Sequence, residues 1–168
     1  MKTLKKLTAT FVLAASVLGT GGARAGGCDV SEIGEKMPDG TVYAGSSSSM
    51  GVAMYTTPRD APGTMPWKAA MKYCAQLDTG GHHDWRLPIA GELDRLFKNH
   101  AEIGRFDTND SDAASWYWSS AERSDAVAWD QHFSDGNGIW LTKNNVSSVR
   151  CVRTGILSGR PPPPCCTP

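Results

Sequence analysis

The feature that most constrains this chain is a set of three short motifs that place large apolar side chains beside charged ones. They are residues 84–88 (DWRLP), 116–120 (WYWSS) and 149–153 (VRCVR). Rings and branched side chains of this size fold away from water, and disordered segments contain few of them. The three motifs therefore predict a packed domain whose core is built from the middle and the end of the chain.

The N-terminus predicts export. Residues 1–6 contain three lysines, residues 7–18 are mostly apolar, and residues 23–25 (ARA) have the small side chains at which a signal peptidase cuts. The apolar run is shorter than the roughly 20 residues that a membrane span needs. We expect a signal peptide over residues 1–25 and a mature chain without a membrane span in the periplasm, the envelope or the medium. A retained anchor, or a lipid on Cys28, is the alternative.

Loss of the signal peptide changes the charge balance. The whole chain has 17 basic and 17 acidic residues, and four of the basic ones lie in the first 25 positions. The remaining 143 residues carry 13 basic and 17 acidic side chains, a net charge of about −4. Because nucleic-acid binders normally carry a basic surplus, we expect no nucleic-acid partner. The length is typical of one domain with a core of its own.

Apolar residues at intervals of three and four predict two short helices. The first contains Trp67, Ala70, Met71, Cys74 and Leu77, and the second contains Leu93, Leu96, Phe97 and His100. We expect Thr64 to cap the first helix and Pro66 to lie in its first turn. Gly80 and Gly81 are expected to end it.

From Ser115 onward the period changes to two, which is typical of strands. Strands are predicted over residues 41–44, 52–56, 126–133, 139–143 and 148–153. Residues 135–138 (DGNG) predict a tight turn, since glycine and asparagine tolerate positive φ. Two helices and a strand-rich half predict an α+β domain. Its predicted bounds are 39–154, between a polar lead-in at 26–38 and a proline-rich tail at 155–168.

All five cysteines lie beyond the predicted signal peptide, so disulfides are the expected state. They are Cys28, Cys74, Cys151, Cys165 and Cys166. Their spacing does not match a zinc site and no histidine lies near them, so we expect no metal and no cofactor. Because the count is odd, one thiol stays free or bonds to another chain.

The motifs, taken together and in order, resemble the Lcl C-terminal domain family, a set of bacterial domains similar to the C-type lectin fold. The resemblance covers about residues 39–153, and its structural motif consists of Trp85, Arg86, Leu87, Pro88, Glu92, Trp118 and Arg150. It implies a C-type lectin-like fold in which two short helices pack on antiparallel strands. In such a fold a disulfide ties the first helix to the last strand, which implies a Cys74–Cys151 bond. Cys28 is then left to pair with Cys165 or Cys166.

We interpret the motif residues as framework. Arg86 lies too close to large apolar residues to be fully solvated, so we expect it to pair with Glu92 or another carboxylate. One departure from the family is Ile89, where threonine is usual. We expect that the reciprocal capping box of this helix cannot form.

An enzyme is not expected. Formylglycine-generating enzymes have a related fold and a similar WRLP sequence, but they need reactive cysteines, which a Cys74–Cys151 bond would remove. Ser119 and Ser120 lack the glycines of a hydrolase nucleophile elbow. A cysteine-dependent enzyme stays as the weaker alternative, and it requires a titratable thiol outside the tail.

Ligands of C-type lectin-like folds meet the loops and exposed strands of the second half, so the resemblance places binding on the last hairpin. The candidate residues are Asp130, His132, Asn137, Trp140, Lys143 and Asn144. They combine hydrogen-bonding groups with a ring that can stack on a sugar or fill a protein pocket. The calcium motifs of sugar-binding C-type lectins are missing from the sequence. The alternative is an ordinary hairpin with Trp140 turned inward.

The resemblance to collagen-like adhesins implies a non-catalytic adhesion module that recognises a polysaccharide or glycosaminoglycan outside the cell or in the envelope. The other partner class is protein. Related lectin-like domains are targets of diversity-generating retroelements, and the loops between Ser120 and Val149 would suit that use.

Overall fold

A computed structural model describes residues 31–109 and 113–155 of the chain. The predicted signal peptide at 1–25 lies outside the described residues, as do Cys28, Cys165 and Cys166 and nearly all of the predicted proline-rich tail. The bonds proposed for those three cysteines therefore stay predictions.

The described residues form short helices and short strands. In chain order they are β1 (Val42–Ser46), β2 (Ala53–Thr56), β3 (Met65–Pro66), α1 (Trp67–Ala75), α2 (Ala90–Lys98), α3 (His100–Ile103), a 3-10 helix (Ala113–Ser115), β4 (Trp116–Glu122), β5 (Val127–His132), β6 (Gly138–Thr142), β7 (Val146–Ser147) and β8 (Val152–Gly155). The strands form three antiparallel sheets with the orders β1-β2-β8, β3-β7 and β4-β5-β6. The predicted α+β class is confirmed.

The predicted bounds of the first helix are wrong at both ends. Thr64 does not cap it, because Met65 is paired with Ser147 in an extended segment and the helix begins only at Trp67. The Trp67 amide donates instead to the Lys143 carbonyl at 3.1 Å. The helix ends at Ala75, and Gly80 lies further on in a separate turn, where it has φ of 68°.

Only the last two residues of the strand predicted over 148–153 lie in a strand, because β7 ends at Ser147 and β8 begins at Val152. The segment between them bonds to several partners instead of one strand. The Ser148 amide donates to the Trp116 carbonyl at 2.7 Å, and the Val149 carbonyl accepts from Ala61 at 2.9 Å. The second predicted helix is also divided, because α2 ends at Lys98 and His100 begins α3.

Strand β4 separates two hydrophobic clusters. Trp118 has no exposed surface and belongs to the cluster that contains α1, together with Trp85 and Leu87. Its neighbour Tyr117 also has no exposed surface and belongs to the cluster around α2, together with Leu93. Successive side chains of a strand point to opposite faces, so both faces of β4 are buried. Burial of each such side chain stabilises the fold by roughly 1.5–3 kcal/mol.

The structure contains the disulfide that the family resemblance implies. Cys74 of α1 is bonded to Cys151, just before β8, and the two residues are separated by 77 positions in sequence. Both are buried in the cluster around α1. A closed loop of this length stabilises the folded state by on the order of 4 kcal/mol in the chain-entropy model.

The predicted ion pair between Arg86 and Glu92 is confirmed. Glu92 is fully buried, and its carboxylate accepts hydrogen bonds from the Arg86 guanidinium at 2.6 and 2.9 Å and from Ser47 at 2.6 Å. Burial raises the pKa of Glu92, but these hydrogen bonds outweigh it, so the pKa lies below its ordinary value. The Ile89 amide also donates to Glu92 at 3.0 Å. Half of the capping box is therefore present, while isoleucine has no side-chain acceptor for the other half.

Arg150 is framework as well. Its side chain is fully buried, with Nε 2.6 Å from Asp60 and the guanidinium over the Phe106 ring at 3.8 Å. The Tyr117 hydroxyl donates to the other oxygen of Asp60 at 2.7 Å. Burial raises the pKa of Asp60 more than these partners lower it. The arginine thereby joins the segment before β8 to the loop before β3.

Candidate functional site

The predicted tight turn forms and joins β5 to β6. Gly136 has φ of 81°, and a Cβ on it would lie 2.4 Å from the Phe97 ring, so the turn requires glycine and rests on α2. The His132 amide donates to the Asn137 carbonyl at 2.7 Å and closes the turn. Strand β6 is then an edge strand of the sheet β4-β5-β6.

Two indoles lie opposite each other on this hairpin. Trp129 of β5 and Trp140 of β6 are register partners, with ring centroids 5.2 Å apart and ring planes at 70°. Trp140 is 40% exposed, which contradicts the alternative in which it turns inward. A Cβ on Gly138 would lie 2.0 Å from the Trp129 ring, so that ring lies directly against the glycine backbone. We call Trp129 and Trp140 the tryptophan pair.

Asp130 lies on the opposite face of β5 from the tryptophan pair, since it follows Trp129 directly in the strand. It has no exposed surface, and the Ser147 hydroxyl donates to it at 2.8 Å. Burial raises the pKa of Asp130 to about 7, although hydrogen bonds from Ser147 and the Gln131 amide oppose the shift. The carboxyl group is part of the interior.

His132 and Lys143 are also buried, at 5% and 6% exposure. The His132 ring stacks on Trp116 at 4.5 Å, and its Nε2 lies 2.9 Å from the Ser115 hydroxyl. Lys143 forms an ion pair with Glu122 and places its ammonium 4.4 Å from the centre of the Trp67 ring. The assignment of Asp130, His132 and Lys143 as ligand contacts therefore needs correction, because these side chains hold the hairpin in place and present little surface to solvent.

Three of the predicted ligand residues are exposed. Besides Trp140 these are Asn137 and Asn144, one in each turn that flanks β6. The Asn137 side chain donates to Asp135 at 2.5 Å and so stiffens its own turn. That these residues contact a ligand stays a prediction.

A model of the Lcl C-terminal domain matches residues 40–153, which include both hydrophobic clusters, the disulfide and the tryptophan pair. The chain belongs to the Lcl C-terminal domain family. Among proteins of curated function, none matches it.

Membership of the Lcl C-terminal domain family suggests an extracellular or envelope protein. Within residues 31–109 and 113–155, each helix is too short or too polar to cross a membrane.

In this Lcl C-terminal domain the sequence reasoning missed Trp129 as a site residue. The signal was present in the turn over residues 135–138. Pairing outward from Gln131 and Gly138 places Trp129 opposite Trp140. A cross-strand partner of an exposed ring is a natural extension of the same surface, because opposite side chains lie about 5 Å apart.

Proposed function

We propose that this Lcl C-terminal domain is an exported, non-catalytic module that binds a polysaccharide on the tryptophan pair. The observation that carries the proposal is the exposure of Trp140 beside Trp129 on an edge hairpin. Sugar rings present C–H faces that pack on indoles, while their hydroxyl groups stay hydrated. Two rings at 70° can contact a sugar residue from two sides.

Polar groups suited to hydroxyl recognition flank the pair. Thr142 is exposed and lies two residues from Trp140, on the same face of β6. Asn144 and Asn145 follow in the turn to β7, and both are exposed. Amide and hydroxyl side chains donate and accept hydrogen bonds without a fixed charge. The surface therefore combines a stacking platform with neutral hydrogen-bonding groups.

The charges near the C-terminus favour a weakly charged polysaccharide over a sulfated glycosaminoglycan. Lys143 and Arg150 are two of the cations in this part of the chain. They are 6% and 1% exposed, and they pair with Glu122 and Asp60, respectively. A cation already paired with a carboxylate attracts a sulfate weakly. The net charge of about −4 after loss of the signal peptide acts in the same direction.

The disulfide supports a non-catalytic role. Cys74 and Cys151 are bonded and buried, so neither offers a thiolate for the chemistry of formylglycine-generating enzymes. A cysteine-dependent activity would need one of the cysteines outside the described residues.

We also propose that the α+β arrangement is a C-type lectin-like fold. Two features support it: the disulfide ties α1 to the segment before β8, and β2 pairs with both β1 and β8. The first and last strands of the domain are thus neighbours of one central strand. An experimental structure that superimposes on C-type lectin-like domains would establish this fold.

The test of binding is a polysaccharide and glycan array probed with the purified, oxidised protein, with and without EDTA. We expect saturable binding to uncharged or weakly charged glycans that EDTA does not change. Binding restricted to sulfated glycans would contradict the charge argument. Loss of binding in EDTA would restore a calcium role.

A protein partner is the second candidate, and the edge strand favours it. Ile139, Trp140 and Val146 are each at least 40% exposed on or beside β6. An unpaired strand edge with apolar side chains can take up a strand from another protein. If the folded protein binds no glycan on the array, a protein partner becomes the favoured candidate. A template repeat and a reverse transcriptase beside the gene would identify the retroelement type of scaffold.

A further inference from the structure

A pocket of about 320 Å³ opens on a different sheet from the tryptophan pair. It lies between residues 37–39, which precede β1, the strands β2 and β8, and the loop that follows α1. Its walls include Met37, Pro38, Asp39, Tyr55, His82 and Arg153. Small-molecule sites begin at about 300 Å³, so the volume suits a ligand of a few to a dozen heavy atoms.

Arg153 supplies a buried positive charge with unused donors. Its side chain is 9% exposed, its Nε donates to Asp84 at 2.8 Å, and its guanidinium lies 5.5 Å from the centre of the Tyr55 ring. Within the part of the chain that the structure describes, neither Nη1 nor Nη2 has a hydrogen-bond partner. Neither Nη atom is among the buried side-chain atoms that lack a partner, so both reach the solvent of the pocket. Arginine carries five N–H donors, and those of Nη1 and Nη2 are therefore available to a planar acceptor that enters the pocket.

Asp39 is not that acceptor. One of its oxygens accepts from the Thr41 amide at 2.9 Å and from the Thr41 hydroxyl at 2.7 Å, and the other lies 2.8 Å from His82 Nε2. Both carboxylate oxygens of Asp39 are therefore engaged by residues of the pocket wall. The same contact orients the His82 ring, because a ring with Nε2 held by a carboxylate turns Nδ1 away from it.

The remaining walls are apolar. Met37 and Pro38 precede Asp39 in the lead-in, and the Tyr55 ring lies beneath the guanidinium. An arginine stacked on an aromatic ring keeps its in-plane N–H groups available. The pocket thus offers a fork of donors at one side and a hydrocarbon surface at the other.

We propose that this pocket binds a small molecule through a carboxylate, which accepts hydrogen bonds from Nη1 and Nη2 of Arg153 while its hydrocarbon part rests on Met37 and Pro38. Planar carboxylates match the guanidinium fork in two parallel hydrogen bonds. The chemistry is shared by uronic-acid residues of glycans and by the carboxyl groups of amino acids and peptide ends. The proposal goes beyond the glycan surface, since the pocket shares no residue with the tryptophan pair.

The first test is calorimetric titration of the purified, oxidised protein with two matched pairs of compounds. One pair is glucuronate and glucose, and the other is N-acetyl-leucine and its amide. We expect at least one acid to bind about tenfold or more tightly than its neutral partner, and the better acid identifies the source. Equal affinity within both pairs, or no saturable binding of either acid, would overturn the proposal.

Two substitutions separate ligand binding from stability. Arg153→Gln should weaken binding of the acid about tenfold or more. Asp84→Asn removes the competing carboxylate but keeps the guanidinium, so it should bind the acid more tightly than the parent protein. If both variants bind equally well, Arg153 is framework only and the proposal fails. If Arg153→Gln does not fold, tighter binding by Asp84→Asn supports the proposal, and equal or weaker binding contradicts it. Trp140→Ala should leave acid binding unchanged, which keeps this result separate from the glycan test.

Discussion

The Glu92 carboxylate has no exposed surface and lies 2.6 Å from the Arg86 guanidinium, which is itself about one-third exposed. This pair joins Arg86, in the motif at residues 84–88, to the first turn of α2. Ser47, in the loop after β1, donates a further hydrogen bond to Glu92. Because Glu92 is fully buried and Arg86 is partly exposed, loss of the ion pair costs more for the carboxylate than for the guanidinium.

Removal of the arginine should therefore be severe. Arg86→Ala leaves a buried carboxylate without its cation, and we expect a loss of about 3–5 kcal/mol in the free energy of unfolding, measured by denaturant titration. Lys98→Ala breaks the exposed pair with Asp94 at 2.7 Å in α2 and should lose less than about 0.5 kcal/mol. Equal effects of the two substitutions would contradict this role for Glu92.

The disulfide should account for a large share of the stability. The double variant Cys74→Ala/Cys151→Ala opens a loop of 77 residues, so we expect its free energy of unfolding to fall by on the order of 4 kcal/mol. The parent protein measured after reduction should approach the same value. An unchanged denaturation midpoint in the double variant would show that the bond does not constrain the chain.

Asp130 should make the protein less stable as the pH rises. Burial raises its pKa from 3.8 to about 7, so between these values the folded state holds a proton that the unfolded state has released. The folded state binds more protons, and the free energy of unfolding must then fall with increasing pH, by at most about 4 kcal/mol from this group.

Stability curves between pH 4 and about pH 8 test this effect of Asp130. Asp130→Asn should flatten the curve and be the more stable protein at the alkaline end. Asp125→Asn changes an exposed aspartate near the same hairpin and serves as the control. A parent protein whose stability rises steadily over this range, with no change in Asp130→Asn, would refute the assignment.

Gly138 should be required for the tryptophan pair. A Cβ at this position would lie 2.0 Å from the Trp129 ring, so Gly138→Ala must displace the indole, at a cost of roughly 1–3 kcal/mol. The displacement should appear as a change in tryptophan fluorescence. Gly91→Ala in α2 places a Cβ 2.7 Å from the Ser48 hydroxyl, which can rotate away, and alanine favours a helix, so this change should cost less than Gly138→Ala and leave the fluorescence unchanged. Identical fluorescence of Gly138→Ala and the parent would contradict the geometry.

The elements that were predictable from sequence depend on local chemistry. The face of α1, the glycine-rich turn before β6 and the Arg86–Glu92 pair each involve residues within a few positions of one another. The position of the first helix start was not predictable, because Met65 pairs with Ser147 and that partner is more than 80 positions away. The disulfide was found through family resemblance, and spacing alone left its partners open.

The site was predicted only in part for a related reason. Alternation along a strand tells which residues share a face, but it does not tell which face is covered. In the sheet β4-β5-β6 both faces are covered near β4, where adjacent Tyr117 and Trp118 are fully buried. Polar residues such as Asp130 and His132 therefore lie inside, although residues of these types are common on binding surfaces.

The tryptophan pair is the proposed glycan site of this domain. The most direct measurement is a titration of the best glycan from the array against the parent protein, Trp140→Ala and Met50→Ala. Met50 is 54% exposed in the loop between β1 and β2, so its substitution removes a comparable apolar surface elsewhere. We predict that Trp140→Ala stays folded and binds about tenfold or more weakly, while Met50→Ala binds like the parent. Unchanged affinity in a folded Trp140→Ala variant would contradict the account.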